Sequence, residues 1–422
     1  MSQPVMRVLW VIDYFPRPHD QTTGVWALET IRALQEQGVE VAVFSPTPWV
    51  PQWLAWTRAL RDWSCVPDEW QALGVPVYFA KCLHYPHRFI TRWLYHHLPW
   101  LDSWLVWWTC RGAIARVLER FPAQVIHANF IFPGGFLGWR INRRYGLPLV
   151  VHEHSPQRLQ AAQSHPWRRR IYQRVITEAD AVLTPNNRLA GLLQAMAPGQ
   201  RIQAIPSGMP VALPGSMVVP KPAPYAQAKV VLSVGALNER KGQEYLIRAI
   251  GQVRREIPNV QCLIIGQGAQ QAALERLIRE LGLQDCVELC GPRPHQEVLA
   301  AMAWCDVFAL PSWGESFGAV YVEAMACGKP VIACEGEGFS DFARDGVHAL
   351  LVKPRDVTSL VEALRRLLTD RPFASALGAQ GRTLAAQELS CRSMAERTVA
   401  LYRQVLNGHP ASAATRSGRR DG

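Results

Sequence analysis

The 422-residue sequence is poor in the short-range patterns that most directly declare a chemistry. Its ten cysteines, Cys65, Cys82, Cys262, Cys305 and Cys327 among them, include no Cys-x-x-Cys pair. Scattered thiols of this kind exclude a disulfide framework and a zinc site, and read as reduced side chains of a cytosolic protein. No Asp-x-Asp occurs anywhere, so no ligand pair of that type is available to clamp a metal-bound diphosphate. The uncharged stretch Ser103 to Cys110 is far shorter than the about 20 apolar residues that span a bilayer. Met1 to Asp13 shows no cleavage-type region and reads as a short polar leader running into a strand, so no secretory signal is expected. Acidic residues are the scarcer sign, 34 against 45 basic ones, for a net charge of +11. That balance suits an anionic partner, but no recognition motif or aromatic-basic sheet pattern points to nucleic acid. Tryptophan is nearly missing from the second half, since fourteen of the sixteen precede Ser207.

What is present is a packed globular composition, 49% hydrophobic and 19% charged. The length fits two or three domains at roughly 100 to 200 residues each. Short apolar runs recur at Arg7–Asp13, Val39–Ser45, Gln124–Asn129, Pro148–Glu153, Ala181–Thr184, Val230–Gly235, Val260–Gly266, Val287–Leu289, Val307–Leu310 and Val331–Ala333. Helix-length segments separate most of them, which predicts an α/β protein with parallel sheets. Leu274, Leu277, Ile278 and Leu281 fall at i, i+3, i+4 and i+7 before a stop at Gly282, the spacing of one buried helix face. The proline-rich run Ser207 to Pro224 reads as a connection between domains. The expected plan is therefore a doubly wound domain at 1–206, a second at 207–387, a helical segment at 388–407 and a small, polar, basic, disordered tail at 408–422. Open sheets of this type bind ligands at the carboxyl ends of their strands, so two facing domains would share a cleft.

The densest signal is Leu310 to Lys329, LPSWGESFGAVYVEAMACGK. It sets Glu315 and Glu323 eight positions apart around a helix start predicted near Ser316. The first-turn N–H groups of Ser316, Phe317 and Gly318 would then be free for phosphate or sugar oxygens. At the helical rise the two carboxylates would stand about 12 Å apart. One could accept hydrogen bonds from a sugar ring and the other from a ribose, with a diphosphate between them. The same spacing fits two ordinary acids on a solvated helix.

The run P-S-x-x-E-S-F-G-x-x-x-x-E-A-M-A-C-G-x-P-V-I resembles the signature of glycosyltransferase family 4, the retaining enzymes of GT-B fold. IPSGM (Ile205 to Met209), LSVGALNERKG (Leu232 to Gly242), LIIGQGAQ (Leu263 to Gln270) and VELCGPRPHQEV (Val287 to Val298) match in the expected order. The resemblance covers nearly the whole chain and is dense from about Ile205 onward. It implies two facing Rossmann-like domains with the acceptor on the first and a nucleotide-sugar donor on the second, and a C-terminal helix packed back on the first domain. It also implies retention of anomeric configuration.

The same resemblance assigns candidate residues. Lys241 would neutralise the diphosphate, and Ala236 stands where the family usually has an arginine, so Arg240 is the candidate substitute. Gly291, Arg293 and the turn before His295 would meet the base and ribose, with a rim charge as the other reading of Arg293. Gly24, preceded by Thr23 where the family has a second glycine, would let the backbone approach the phosphate. Gly336 and Gly338 would wrap the donor sugar, with Asp341 as a helix cap. His154, in the HEHSP segment, aligns with the family histidine near the transferred sugar, whereas His152 and His127 read as satisfied core imidazoles. Catalysis is thus expected from Glu315, His154 and Lys241, without a metal and without a cofactor, the nucleotide-sugar being a substrate.

The segment His87 to Phe121 mixes Trp93, Trp100, Trp104, Trp107 and Trp108 with Arg88, Arg92, Arg111, Arg116 and Arg120. Interfacial tryptophan with arginine suits a membrane surface, and a helical hairpin buried against the sheet is the alternative. Arg168, Arg169 and Arg170 add to an anion-seeking face. The expectation is a cytoplasmic, peripheral-membrane transferase acting on a lipid-linked or saccharide acceptor in surface polysaccharide or glycolipid assembly, with a loose likeness to exopolysaccharide- and teichuronic-acid-type enzymes. A non-catalytic nucleotide-sugar-binding or scaffolding protein is the alternative that Ala236 and the altered glycine turn would favour.

Overall fold

The computed structural model describes residues 5–21, 23–83, 97–163, 165–209, 219–315 and 317–409. Its contacts divide the chain into two units, one of Met1–Ile205 with Met394–Gly422 and one of Pro206–Ser393. The C-terminal helix Cys391–Gly408 thus belongs from Met394 onward to the first unit.

The first unit holds an eight-stranded sheet in the order β3-β4-β2-β1-β5-β6-β7-β8. Its strands are β1 (Met6–Val11), β2 (Val39–Pro48), β3 (Glu69–Ala72), β4 (Val75–Cys82), β5 (Val125–Asn129), β6 (Leu149–His152), β7 (Ala181–Thr184) and β8 (Ile202–Ala204). All pairings are parallel except β3 with β4, an antiparallel pair at one edge. Because β1 pairs with both β2 and β5, the strand order reverses there, and ligands bind at such switch points.

The second unit is a six-stranded, all-parallel sheet in the order β11-β10-β9-β12-β13-β14. Its strands are β9 (Lys229–Val234), β10 (Val260–Ile265), β11 (Val287–Gly291), β12 (Val307–Ala309), β13 (Val331–Cys334) and β14 (Leu350–Val352). Period-2 alternation feeds two cores. Val231 packs with Leu246, Ile250 and Leu364 on one face, and its neighbours Val230 and Leu232 pack with Met302 and Tyr321 on the other. Both faces are covered by helices, so the strands read as continuous apolar runs. The switch point lies between β9 and β12.

Two local expectations change. Leu281 caps the helix Gln271–Glu280 and is 42% exposed, because Leu274, Leu277 and Ile278 already complete the buried face. The helix after β12 begins at Ala319, not near Ser316. Gly318 takes φ 77° at its N-cap, and a Cβ there would lie 2.3 Å from the Tyr321 ring, so the chain turns into the helix only after this glycine. Ser316 lies outside the described residues, as do Arg88, Arg92 and Trp93, most of the proline-rich connection and the tail from residue 410.

The described part of the tryptophan-rich segment is one long helix, Pro99–Arg120. One face, including Val106, Trp107, Cys110, Ile114 and Val117, is buried in the first unit's core. An adjoining stripe presents Trp100, Trp104 and Trp108, each 47–53% exposed, at i, i+4 and i+8. Trp104 and Trp108 stack with centroids 6.0 Å apart, and Arg111 lies over Trp108. The helix is thus buried against the sheet along one stripe and carries exposed tryptophans along another.

Candidate active site

In the second unit the loops leaving β9 and β12 meet at the switch point. A short 3₁₀ turn, Glu239–Lys241, delivers two cations to the β12 loop. Lys241 Nζ donates to Glu315 Oε2 at 2.6 Å, both side chains being about one-fifth exposed, and Ser312 Oγ donates to the same oxygen at 3.2 Å. Arg240 is exposed, with its guanidinium beside Gly314, and its carbonyl accepts from Trp313 N–H at 2.9 Å. The two adjacent cations therefore reach the same loop. Glu315 is also held from a third direction: its N–H donates to buried Glu337 at 3.1 Å, and its carbonyl accepts from Gly338 N–H at 3.0 Å. That ties the β13 loop, with Gly336 and Gly338, to the centre of the site. Asp341, expected as a helix cap, is the last residue of a 3₁₀ turn there.

Glu323 projects from the helix Ala319–Ala326 with its side chain 17% exposed, and its Oε1 lies 3.0 Å from His295 Nε2. Burial pushes the Glu323 carboxyl above its usual range, and the adjacent imidazole pulls it back. His295 opens the helix His295–Trp304 after β11, so the base-side turn and the second glutamate are joined. Gly291 ends β11 at φ 68°, and Arg293 is 48% exposed with Glu297 4.0 Å away. Phe317 is buried in the core against Phe342, so its backbone and not its ring can serve a ligand.

In the first unit, the turn after β1 closes on Gly24, the N-cap of the helix Val25–Glu36, at φ 74°. A Cβ there would lie 2.3 Å from the Tyr14 carbonyl oxygen. Thr23, the departure from a glycine pair, donates its N–H to Asp20 Oδ1 at 3.2 Å and its hydroxyl to the other oxygen, so it braces the turn. Neither this helix nor Ala319–Ala326 has a side-chain cap or an acid in its first turn. Their leading N–H groups and positive dipole ends are left for an anion.

His154 follows β6. Its Nε2 lies 3.1 Å from Asn129 Oδ1, and its ring packs 4.7 Å from Trp26 and 3.8 Å from His152. The residue that positions it is Glu153, fully buried, whose carboxylate accepts from the N–H groups of Ile131 (2.9 Å), His154 (2.9 Å) and Ser155 (2.8 Å). Burial pushes this carboxyl up, and those three donors with nearby Arg158 pull it down. Phe130, between them, holds φ 61°, an unusual conformation for a non-glycine residue.

His127 stacks on Trp10 at 3.9 Å and its Nδ1 is hydrogen-bonded to Tyr402 of the C-terminal helix at 2.7 Å. Burial raises the Tyr402 hydroxyl well above its usual value, so it stays protonated and donates. His127 and His152 are buried as expected, but the Nε2 of each meets no partner among the described residues. They are therefore not fully satisfied core imidazoles. Burial holds all three histidines neutral, His152 down to about 3.

Sequence reasoning missed Glu153, Glu337, Asn129 and the His295–Glu323 pair. Glu153 sits inside the HEHSP segment and Glu337 between the candidate glycines Gly336 and Gly338, so an acid flanking a motif residue was the available signal. All ten cysteines are free thiols. Among the described residues no group of three or more His, Cys, Asp and Glu side chains is arranged to hold a metal, and no helix is long and apolar enough to cross a membrane.

Two doubly wound sheets, parallel but for the β3–β4 edge pair, are the architecture of the GT-B fold. Residues 22–208 match the glycosyl transferase 4-like domain and residues 219–384 the glycosyl transferases group 1 domain. The chain is 31% identical to a D-inositol 3-phosphate glycosyltransferase of Mycolicibacterium smegmatis over 70% of its own length and 72% of that protein's. It is 35% identical to a GDP-mannose-dependent alpha-(1-6)-phosphatidylinositol monomannoside mannosyltransferase of the same organism, over 41% of this chain and 47% of the relative. In three dimensions it is similar to sucrose-phosphate synthase from Thermosynechococcus elongatus (TM-score 0.70, 23% identity, 95% and 99% of the two chains). It is likewise similar to Anabaena HepE in complex with UDP (TM-score 0.67, 20% identity, 94% and 100%). These structural likenesses show the fold. The chain belongs to the family 4-type glycosyltransferases, and it is an enzyme that transfers sugars.

Proposed function

We propose that the chain moves a sugar, with retention, from a nucleoside-diphosphate sugar to a hydroxyl of a saccharide or lipid-linked acceptor. The observation that carries the reading is the Lys241–Glu315–Ser312 cluster beside the uncapped helix that bears Glu323. A leaving nucleoside diphosphate gains charge as the glycosidic bond breaks, and Lys241, Arg240 and the helix N-terminus supply compensation at one place. Exchange of the Lys241–Glu315 contact for a Lys241–phosphate contact would free Glu315 for the donor sugar's hydroxyls. Glu323 and His295 together offer an acceptor and a donor to a ribose, with Gly291 and Arg293 at the base side. The acceptor hydroxyl attacks from the face that the nucleotide leaves, and the departing phosphate takes its proton. No metal and no cofactor enter this scheme.

On the first unit, Gly24 admits the phosphate and His154, fixed by Glu153 and Asn129, meets the transferred sugar. The exposed Trp100, Trp104 and Trp108 stripe and the +11 charge support work at the cytoplasmic surface of a membrane, on acceptors of the surface polysaccharide or glycolipid type. The relatives' names point to acceptors built on inositol, so polyol and glycolipid acceptors belong in the trial beside exopolysaccharide- and teichuronic-acid-type ones.

Calorimetric titration of UDP, GDP, ADP and their sugar conjugates into the whole chain, with Lys241→Ala and Glu323→Ala alongside, tests the donor site. Selective binding weakened by both substitutions is the expected result. Absence of binding by every nucleotide would remove the donor assignment.

A further inference from the structure

The first unit has a second concavity along the carboxyl edge of its sheet. β2 and β4 stay paired from Val43 with Val77 to Pro48 with Cys82, beyond Phe44, which is opposite the end of β1 at Val11. The two strands thus run on as a ledge past the switch point. At a strand spacing of about 4.8 Å they lie one and two strands, some 5 and 10 Å, from β1. Above the ledge is an open cleft of about 420 Å³ lined by Trp49, Trp63, Ser64, Asp68 and Lys81 among others, within the roughly 300 to 1,000 Å³ of small-ligand sites.

Its walls alternate aromatic faces with hydrogen-bonding groups. Trp49 is 52% exposed. Trp63 is held by Arg17, whose guanidinium lies 3.9 Å from the ring centroid. Arg17 comes from the same turn after β1 that closes on Gly24, so one wall of the cleft and the candidate active-site turn are held by one contact. Lys81 donates to the Val66 carbonyl and keeps further N–H groups for a ligand. The Asp68 carboxylate is exposed and accepts no hydrogen bond among the described residues. Trp53 and Trp56, which follow Trp49 closely in the chain, are 79% and 65% exposed.

Indole faces cover the C–H face of a sugar ring, while a carboxylate, an ammonium and a hydroxyl bond its hydroxyls. We propose that this cleft is a saccharide subsite, which holds a sugar ring of the acceptor one or two strands from the reacting hydroxyl. The proposal rests on the acceptor assignment to the first unit. A lipid surface would need no carboxylate in the cleft, and Asp68 would repel its anionic headgroups.

The test is saturation-transfer NMR on the whole chain with maltotriose, cellotriose and α-1,6-mannotriose as probes, at saturating UDP, comparing native protein with Trp49→Ala and Asp68→Asn. At least one trisaccharide should receive saturation from the native chain, and its affinity should fall about tenfold in each variant, with UDP affinity unchanged in the same samples. Equal saccharide binding in native and variant proteins would overturn the subsite and leave the donor reading intact. Failure of UDP to bind would instead strike the donor reading, and the variant comparison would still be made on the saccharides alone. Absence of transfer to all three probes, with a blue shift of tryptophan emission on vesicles of phosphatidylcholine and phosphatidylglycerol that Trp49→Ala removes, would reassign the surface to a membrane.

Discussion

The two units solve the placing of polar groups differently. The second unit gathers Lys241, Glu315, Glu323 and His295 on loops and helices where each stays partly open to solvent, with the buried Ser312 beside them. The first unit buries its counterparts: Glu153 and His127 are fully inaccessible, and His152 and His154 are held between aromatic rings and the sheet. A partly open cluster can exchange an internal ion pair for a ligand without leaving either charge buried and unpaired. A buried one must hold its groups in one protonation state and one geometry, so its loss is felt first as stability.

A similar contrast runs through the helices. Four helices away from the switch points have side-chain caps, although Pro99–Arg120, Gln271–Glu280 and His295–Trp304 have none: Asp356 accepts from Thr358 and Ser359, Asp370 from Phe373, Asn186 from Leu189 and Thr57 from Leu60. Those at the switch points start on Gly24, Gly242 and Gly318 with no side-chain cap. Where a cap would fill the helix end, a ligand cannot.

The largest effect should come from the open site. Lys241→Ala should lower sugar transfer by about 10² to 10³-fold, measured as kcat/KM on the donor found by calorimetry, while its melting temperature stays close to native. A melting temperature that falls in step with activity would erase the contrast between the units.

Gly318→Ala strains the turn into the Glu323 helix and should cost about 1 to 3 kcal/mol in denaturant unfolding, together with most of the donor affinity. Retention of native stability would show that Tyr321 moves aside and that the glycine is not required.

Glu153→Gln breaks the buried side. It keeps the shape but sets an amide N–H₂ against at least one backbone donor, so stability should drop by about 1 to 3 kcal/mol and transfer by about tenfold, with donor affinity unchanged. A selective loss of donor affinity would place Glu153 in the wrong half of the chemistry.

The histidines sharpen the comparison through pH. All three have folded pKa values below that of free imidazole, His152 at about 3. Below the unfolded value of about 6.5 the unfolded chain binds protons that the folded chain refuses, so stability falls as pH falls. The slope is at most about 1.4 kcal/mol per pH unit for each such group. Glu153, raised by burial, works in the opposite sense, losing its contribution as pH rises through its folded value. Urea midpoints at pH 7.5, 6.0 and 5.0 should decline, and His152→Asn should flatten the curve. A flat native curve would show that the histidines are not buried neutral.

The smallest effect on the fold belongs to the tryptophan stripe. Trp104→Ser should change stability by less than about 0.5 kcal/mol yet reduce sedimentation with anionic vesicles several-fold. Unchanged vesicle binding would remove the membrane role from this helix.

Much of the architecture was open to reading from the chain because buried parallel strands are short apolar runs, and each of those ten runs overlaps a strand. β3, β4, β8 and β14 escaped. Glu69–Ala72 is a polar edge, Val75–Cys82 carries Pro76 and Lys81, and Ile202–Ala204 and Leu350–Val352 have three residues each. The glycine and glutamate positions of the second unit were also readable, because they lie within single loops whose spacing is local. The helix start was misplaced by three residues, since only the clash of a Cβ at Gly318 with Tyr321 fixes where the turn ends.

By itself the sequence determined two doubly wound domains, ten of their fourteen strands and the motif loops, because apolar periodicity and turn residues act over a few positions. Tertiary structure alone decided that Tyr402 reaches His127 across 275 positions, that Glu153 gathers three backbone donors, that His295 meets Glu323 and that one helix turns Trp107 inward and its other tryptophans out. Those outcomes depend on which elements pack together, and burial, which sets the protonation of every one of these groups, exists only after they have packed.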